Sequence, residues 1–114
     1  MIAVIFELEP RADLAPRYFE LADELKGSLT NVEGFMSIER FESLTQPGRY
    51  LSLSFWQDEQ AVQSWRNQQA HRMAQHEGRS QIFSDYRLRV ANVIRDYGLS
   101  SRGQAPSDSL DALR

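Results

Sequence analysis

Apolar and polar residues alternate with a period of two from Ile2 to Leu8, where Ile2, Val4, Phe6 and Leu8 stand against Ala3, Ile5 and Glu7. This predicts a strand with one strongly apolar face, stopped by Pro10. The period then lengthens. Leu14, Tyr18, Leu21, Ala22 and Leu25 recur at helical spacing, so residues 14–29 read as an amphipathic helix. Asp13 is placed to cap it, and Pro16 is tolerated in a first turn whose backbone donors lack partners. Residues 31–34 read as a turn and 35–43 as a second strand. Pro47-Gly48 suits a tight turn, with proline at its first central position and glycine at its second. Residues 49–56 then alternate Leu51, Leu53 and Phe55 with Tyr50, Ser52, Ser54 and Trp56, completing a hairpin. Asp58 can cap a helix carrying Ala61, Val62 and Trp65. The string Asn67-Gln68-Gln69 interrupts the apolar pattern, which predicts a break near Gln68. A second helical piece follows, from about Gln69 to Glu77, ending at Gly78. Residues 84–97 read as the last strand.

The order β-α-β-β-α-β points to an α+β fold, a ferredoxin-like sandwich with its helices on one face of an antiparallel sheet. Leu51, Leu53 and Phe55 are expected to face inward, with Ile5, Tyr50, Trp56, Val93 and Tyr97 on the opposite face. A sheet apolar on both faces needs cover on both. Two helices supply one cover, so a second copy is expected to supply the other, as a two-fold homodimer packed sheet against sheet. After Tyr97 the chain turns rich in Ser, Gly and Asp. The domain is therefore expected over residues 1–97, with 98–114 a loosely held tail in which Leu110 and Leu113 are the candidate docking residues.

Composition narrows the function. The 114 residues carry 16 acidic and 13 basic side chains, a net charge of -3, which disfavours a nucleic-acid partner. There is no cysteine, so disulfides, thiol catalysis and cysteine-ligated metals are excluded. The longest apolar run, Ile2 to Phe6, is far short of a membrane span, and no secretory leader precedes it; a cytoplasmic location is expected.

The residues Gly34-Phe35, Ile38-Glu39-Arg40-Phe41, the Pro47-Gly48 hairpin, Leu51 to Trp56, Ala61, Trp65-Arg66 and Tyr86-Arg87-Leu88-Arg89-Val90 together resemble the antibiotic biosynthesis monooxygenase domain. The resemblance runs over about residues 1–97. It implies a dimeric α/β barrel and two candidate chemistries. A heme-degrading branch would need an Asn on the first strand, a Trp on the second helix and a His about ten residues later. Trp65 matches, His76 stands one place beyond the His position, and the first strand offers Phe6 and Glu7 in place of Asn. A cofactor-free branch oxidises phenolic or quinol-type compounds with Trp, Tyr, Asn and Arg around an apolar pocket. Trp65, Asn67, Tyr86 and Arg87 supply those types.

Cofactor-free oxygenation needs a base to deprotonate the substrate, a donor to steady the oxyanion, and a dry, flat pocket. In the reading this favours, Trp65, Phe55 and Trp56 line the pocket, His71 is the base and Arg72 stabilises charge. Asn67, Tyr86 and His76 complete the substrate contacts, the substrate being a small aromatic or quinol ligand with no metal or other cofactor. The alternatives are a heme binder ligated through His71 or His76, and a non-catalytic dimeric ligand-binding module. Each of these residues also has an ordinary explanation: core packing for the two tryptophans, solvation or ion pairing for Arg72 and Arg79, and surface placement for the histidines. Arg87 and Arg89 would need partners at a dimer interface, with Glu39 or Glu42 as candidates. Glu7, on an apolar strand, is either an edge charge or a buried group of raised pKa.

Overall fold

The computed structural model describes residues 1–76 and 82–108, and for residues 69–76 the helical backbone only. Strand β1 (Ile2–Pro10) is followed by a 3-10 turn (Ala12–Leu14) and helix α1 (Ala15–Leu29). The hairpin β2 (Phe35–Glu42) and β3 (Tyr50–Trp56) leads to helix α2 (Glu59–His76) and strand β4 (Phe83–Asn92). All pairings are antiparallel, in the order β2-β3-β1-β4. This is the α+β, ferredoxin-like arrangement the alternating periods predict. No helix among the described residues is long and apolar enough to cross a membrane.

Local chemistry sets the element ends. Gly48 has φ +86°, and the Arg49 amide bonds the Gln46 carbonyl at 3.1 Å, so Pro47-Gly48 form the centre of the expected turn. Asp58 caps α2: its Oδ1 accepts from the Ala61 amide at 2.9 Å. Asp13 does not cap α1. It lies inside the 3-10 turn, and Leu14 holds the cap position without a side-chain bond. Helix α2 runs through Gln68 without the expected break, because interrupted apolarity alone does not break backbone bonds when no Gly or Pro is present. Its expected end at Gly78 lies outside the described residues. Strand β4 stops at Asn92 instead of Tyr97, and residues 93–108 continue as an irregular arm with Ile94 and Leu99 exposed. Leu110 and Leu113 lie outside the described residues.

The faces of the sheet correct the sequence expectation at β3. Pairing places Ile2, Val4, Phe6 and Leu8 of β1 beside Trp56, Ser54, Ser52 and Tyr50. This is the helix-facing side. Trp56 is only 1% exposed and packs with Ile2, Leu29 and Val62, while Leu8 packs with Tyr18, Leu21 and Ala22. Leu51, Leu53 and Phe55 therefore share the far face with Glu7, Ile5 and Ala3. Tyr50 and Trp56 are not on the outer face, and the three apolar residues of β3 are not in the helix-covered core. The inversion follows from register: β1 can bury its own apolar set only by bringing the even-numbered residues of β3 to the same side.

At one end of the far face, the Arg49 guanidinium donates to Glu7 Oε2 at 2.8 Å and to Glu9 Oε1 at 3.1 Å, and Arg89 donates to Glu7 Oε1 at 3.1 Å. Glu7 is thus a paired carboxylate. The Arg49 hydrogen bond holds its pKa below the ordinary range, opposed by some desolvation and helped by the Arg89 charge. Within the chain the partner of Arg89 is Glu7.

Gly34 anchors α2 to the hairpin. Its φ is +89°, its carbonyl accepts from the Gln57 amide at 2.7 Å, and an added Cβ would stand 2.8 Å from Ala61 Cβ. Gly48 shares the positive φ but has nothing within 4 Å of an added Cβ. Gly34→Ala should therefore cost roughly 2–5 kcal/mol, strain plus overpacking. Gly48→Ala should cost about 1–2 kcal/mol, strain alone. Urea midpoints of the two variants check the order.

Candidate functional site

The helix-facing side of β3 reads Tyr50, Ser52, Ser54, Trp56, large residues at the ends and small ones between. Opposite the serines the helices cannot close onto the sheet. A cavity of about 150 Å³ results, lined on the sheet side by Val4, Phe6, Ile38, Ser52 and Ser54 and on the α1 side by Tyr18, Leu21 and Leu25. One end is closed by tryptophans: Trp65 of α2 stacks on Trp56 with ring centroids 6.3 Å apart and planes 29° apart. Phe35 meets the other edge of Trp56 at 5.3 Å. The opposite end is an aromatic cluster in which Phe6 lies 5.6 Å from Phe83, and Phe83 lies 5.7 Å from Tyr18. Leu88 and Val90 of β4 also line the cavity yet stay about half exposed, so the mouth opens along that strand.

The polar groups are few, as a small-molecule pocket requires. The buried Ser54 Oγ accepts from Trp56 Nε1 at 2.9 Å, fixing the indole as a wall. Arg40 enters from β2, in register with Ser52. One of its terminal nitrogens donates to the Ala22 carbonyl of α1 at 3.2 Å. Its Nε is buried and has no hydrogen-bond partner among the described residues. A buried donor left unpaired costs about 1–3 kcal/mol. Tyr18 lies beside it. Burial pushes the Tyr18 hydroxyl pKa up, and the nearby Arg40 cation only partly opposes this, so the phenol keeps its proton at neutral pH.

Of the residues expected in the site, Trp65 and Trp56 line the cavity together. Phe55 is on the far face of the sheet, paired with Ala3. Asn67 is exposed on α2 and is not a lining residue. Tyr86 touches the Phe6 ring at 5.8 Å but is 51% exposed, outside the lining. His71, Arg72 and His76 are carried by the backbone of α2, and their side chains lie outside the described residues. Arg79 lies outside them altogether. Sequence reasoning passed over Arg40, Tyr18, Ser52 and Ser54. A signal for Arg40 existed: it stands two residues after Ile38, so a strand that turns Ile38 inward turns Arg40 inward too.

Comparison with known proteins adds the following. Residues 1–77 match the family model described as antibiotic biosynthesis monooxygenase. The jasmonate monooxygenase ABM of Pyricularia oryzae is 44% identical over 93 residues, 82% of this chain. The match spans only 43% of that longer protein. Among solved structures, Rv0793 from Mycobacterium tuberculosis superposes with a TM-score of 0.72 at 17% identity, covering 85% of this chain and 98% of that one. The heme-degrader MhuD of the same organism, with two hemes bound in its active site, gives 0.67 at 20% identity, covering 86% and 100%. At these identities the two structures share the fold.

Removing the Ser54 hydroxyl would strand a buried indole N–H. Ser54→Ala should lower stability by about 1–3 kcal/mol, and the loss should largely vanish when measured in a Trp56→Phe background. Chemical denaturation of the four proteins in that cycle tests it.

Proposed function

The chain belongs to the antibiotic biosynthesis monooxygenase family, and from that premise we propose that it is a monooxygenase-type oxidoreductase acting, in the cytoplasm, on a small aromatic or quinol compound held in the cavity. The observation that carries this reading is the cavity itself. It is walled by stacked tryptophans, is lined mostly by apolar groups, and presents a few fixed polar atoms. Flat aromatic walls suit a flat ligand, and a largely apolar lining limits solvation of a reactive anion.

The reaction proposed requires no electron donor besides the substrate. An acidic CH₂ adjoining a phenolic ring loses a proton, and the carbanion or phenolate so formed passes electrons to dioxygen. One oxygen atom enters the carbon as a carbonyl and the other leaves as water, so the CH₂ supplies all four electrons. Trp65 and Trp56 would hold the ring plane, and His71 on α2 would take the proton, with Arg72 balancing charge. Phe55 has no part in this version, because the sheet separates it from the cavity.

The likeness to MhuD supports a second reading, heme binding. Trp65 lines the cavity, while β1 carries Phe6 and Glu7 where heme degradation would call for an Asn. The proposed axial ligands, His71 and His76, lie outside the described side chains, and Tyr18 retains its proton. Hemin titration of the wild type, His71→Ala and His76→Ala decides this reading, a Soret band lost in either variant supporting it.

We also assign the cover of the far face to a second copy. Ile5, Leu51, Leu53 and Phe55 lie together there, on the side away from α1 and α2, and isologous sheet packing would cover the far faces of both copies at once.

Two measurements test this reading. Dioxygen uptake over a panel of anthrone-type phenols, which carry such a CH₂, should reveal a substrate. Its product should carry one ¹⁸O from ¹⁸O₂, and Trp65→Ala should lower turnover at least about tenfold. No uptake across the panel, with a sharp Soret band forming on hemin addition, would transfer the case to the heme reading. Sedimentation should give a two-chain particle for the wild type and a single chain for Leu53→Glu, since a charge at a packed apolar interface must be desolvated.

A further inference from the structure

We infer that the cavity contains an anion-binding subsite formed by Arg40 and Tyr18, and that its ligand carries an apolar body with one deprotonated oxygen, a carboxylate or a phenolate. This rests on the reading that the cavity is the ligand site, and adds the chemical class of what it takes.

Four observations converge. First, Arg40 sits on the helix-facing side of β2 among cavity-lining residues, where the position before it on that face, Ile38, is apolar. Second, no carboxylate pairs with it among the described residues; its partners there are the Ala22 carbonyl and the Tyr18 hydroxyl, both uncharged. The contrast is Arg49, which meets two carboxylates in the solvent-washed network on the far face. Third, the Arg40 Nε is buried and has no hydrogen-bond partner among the described residues. Fourth, the Tyr18 hydroxyl beside it stays protonated and offers a second donor. A part-buried guanidinium without a carboxylate partner, set against an apolar cavity, gains little to offset its lost hydration. An anionic oxygen arriving with the ligand would supply the missing charge and accept the free N–H as a charge-assisted bond. The apolar ends of the cavity would then hold the ligand's hydrocarbon part.

The test uses the full-length protein and matched probes. Isothermal titration compares 2-naphthoate with methyl 2-naphthoate, which share a ring system and differ in the charged oxygen. The wild type should bind the acid at least about tenfold more tightly. Arg40→Gln should erase that preference while leaving ester binding within about twofold, and Arg40→Lys should restore part of it. Far-ultraviolet circular dichroism identifies a variant that has failed to fold, and the acid-to-ester ratio of the wild type alone still decides the case. A third probe separates the two oxygen types. If phenolate is favoured, bound 2-naphthol should show its naphtholate absorbance at a pH where free naphthol is neutral. If carboxylate alone is favoured, it should not, and either result supports the subsite. Equal binding of acid and ester by the wild type, or an acid preference that survives in Arg40→Gln, would overturn the inference and leave the ligand-cavity reading standing. Binding of none of the three probes would bring down both.

Discussion

The structure turns on which way β3 faces. Each residue of a strand must choose one side, and β1 leaves β3 no freedom. Ile2, Val4, Phe6 and Leu8 must be buried, and pairing then carries Trp56, Ser54, Ser52 and Tyr50 to the same side. Two small hydroxyl residues consequently sit in the middle of the covered face. Helices resting on the large residues at either end cannot follow the sheet down between them, and the unfilled space is the cavity. The same constraint turns Leu51, Leu53 and Phe55 outward, onto the face away from α1 and α2. Pocket and uncovered apolar face are two outcomes of a single register.

Electrostatics divides the molecule along the same plane. On the far face Glu7, Glu9, Arg49 and Arg89 satisfy one another in contact with water, and Glu7 remains an anion with its pKa held down by Arg49. Pairs so exposed contribute modestly to stability and chiefly keep charge compatible with an otherwise apolar surface. On the covered face Arg40 is held through a backbone carbonyl, and among the described residues its neighbour is the neutral Tyr18 rather than a carboxylate. Where carboxylates were available across the sheet, arginines found them; in the cavity the described residues provide none. Function is read from this asymmetry, because an uncompensated cation in a small apolar space favours an incoming anion.

The fixed parts of the site show how such a pocket persists. Trp56 is buried, bonded to Ser54 and stacked on Trp65, so its ring has little freedom to fill the space beside it. Gly34 lets α2 begin close against the hairpin, its carbonyl bound by the Gln57 amide and Ala61 seated against its bare Cα. Trp65 is positioned by that junction, six residues after α2 begins at Glu59. The cavity thus depends on a turn glycine distant from its chemistry.

Elements, their order and several of their ends could be read directly from the sequence, since they rest on local physics. Alternation marks the strands, Pro47-Gly48 the turn and Asp58 the start of α2. Apolar patterning marked which residues of β3 are alike, but not which way they face. Leu51, Leu53 and Phe55 look like a core set, and only pairing with β1 shows that the serine side is the covered one. Arg40 was visible as a residue of β2 but not as a cavity residue, because its meaning lies in Tyr18 and Ala22, 22 and 18 positions away. Local spacing by itself determined a β-α-β-β-α-β chain. Tertiary pairing decided where the empty space falls and which charge it encloses, because both depend on residues that meet only across the sheet and beneath the helix.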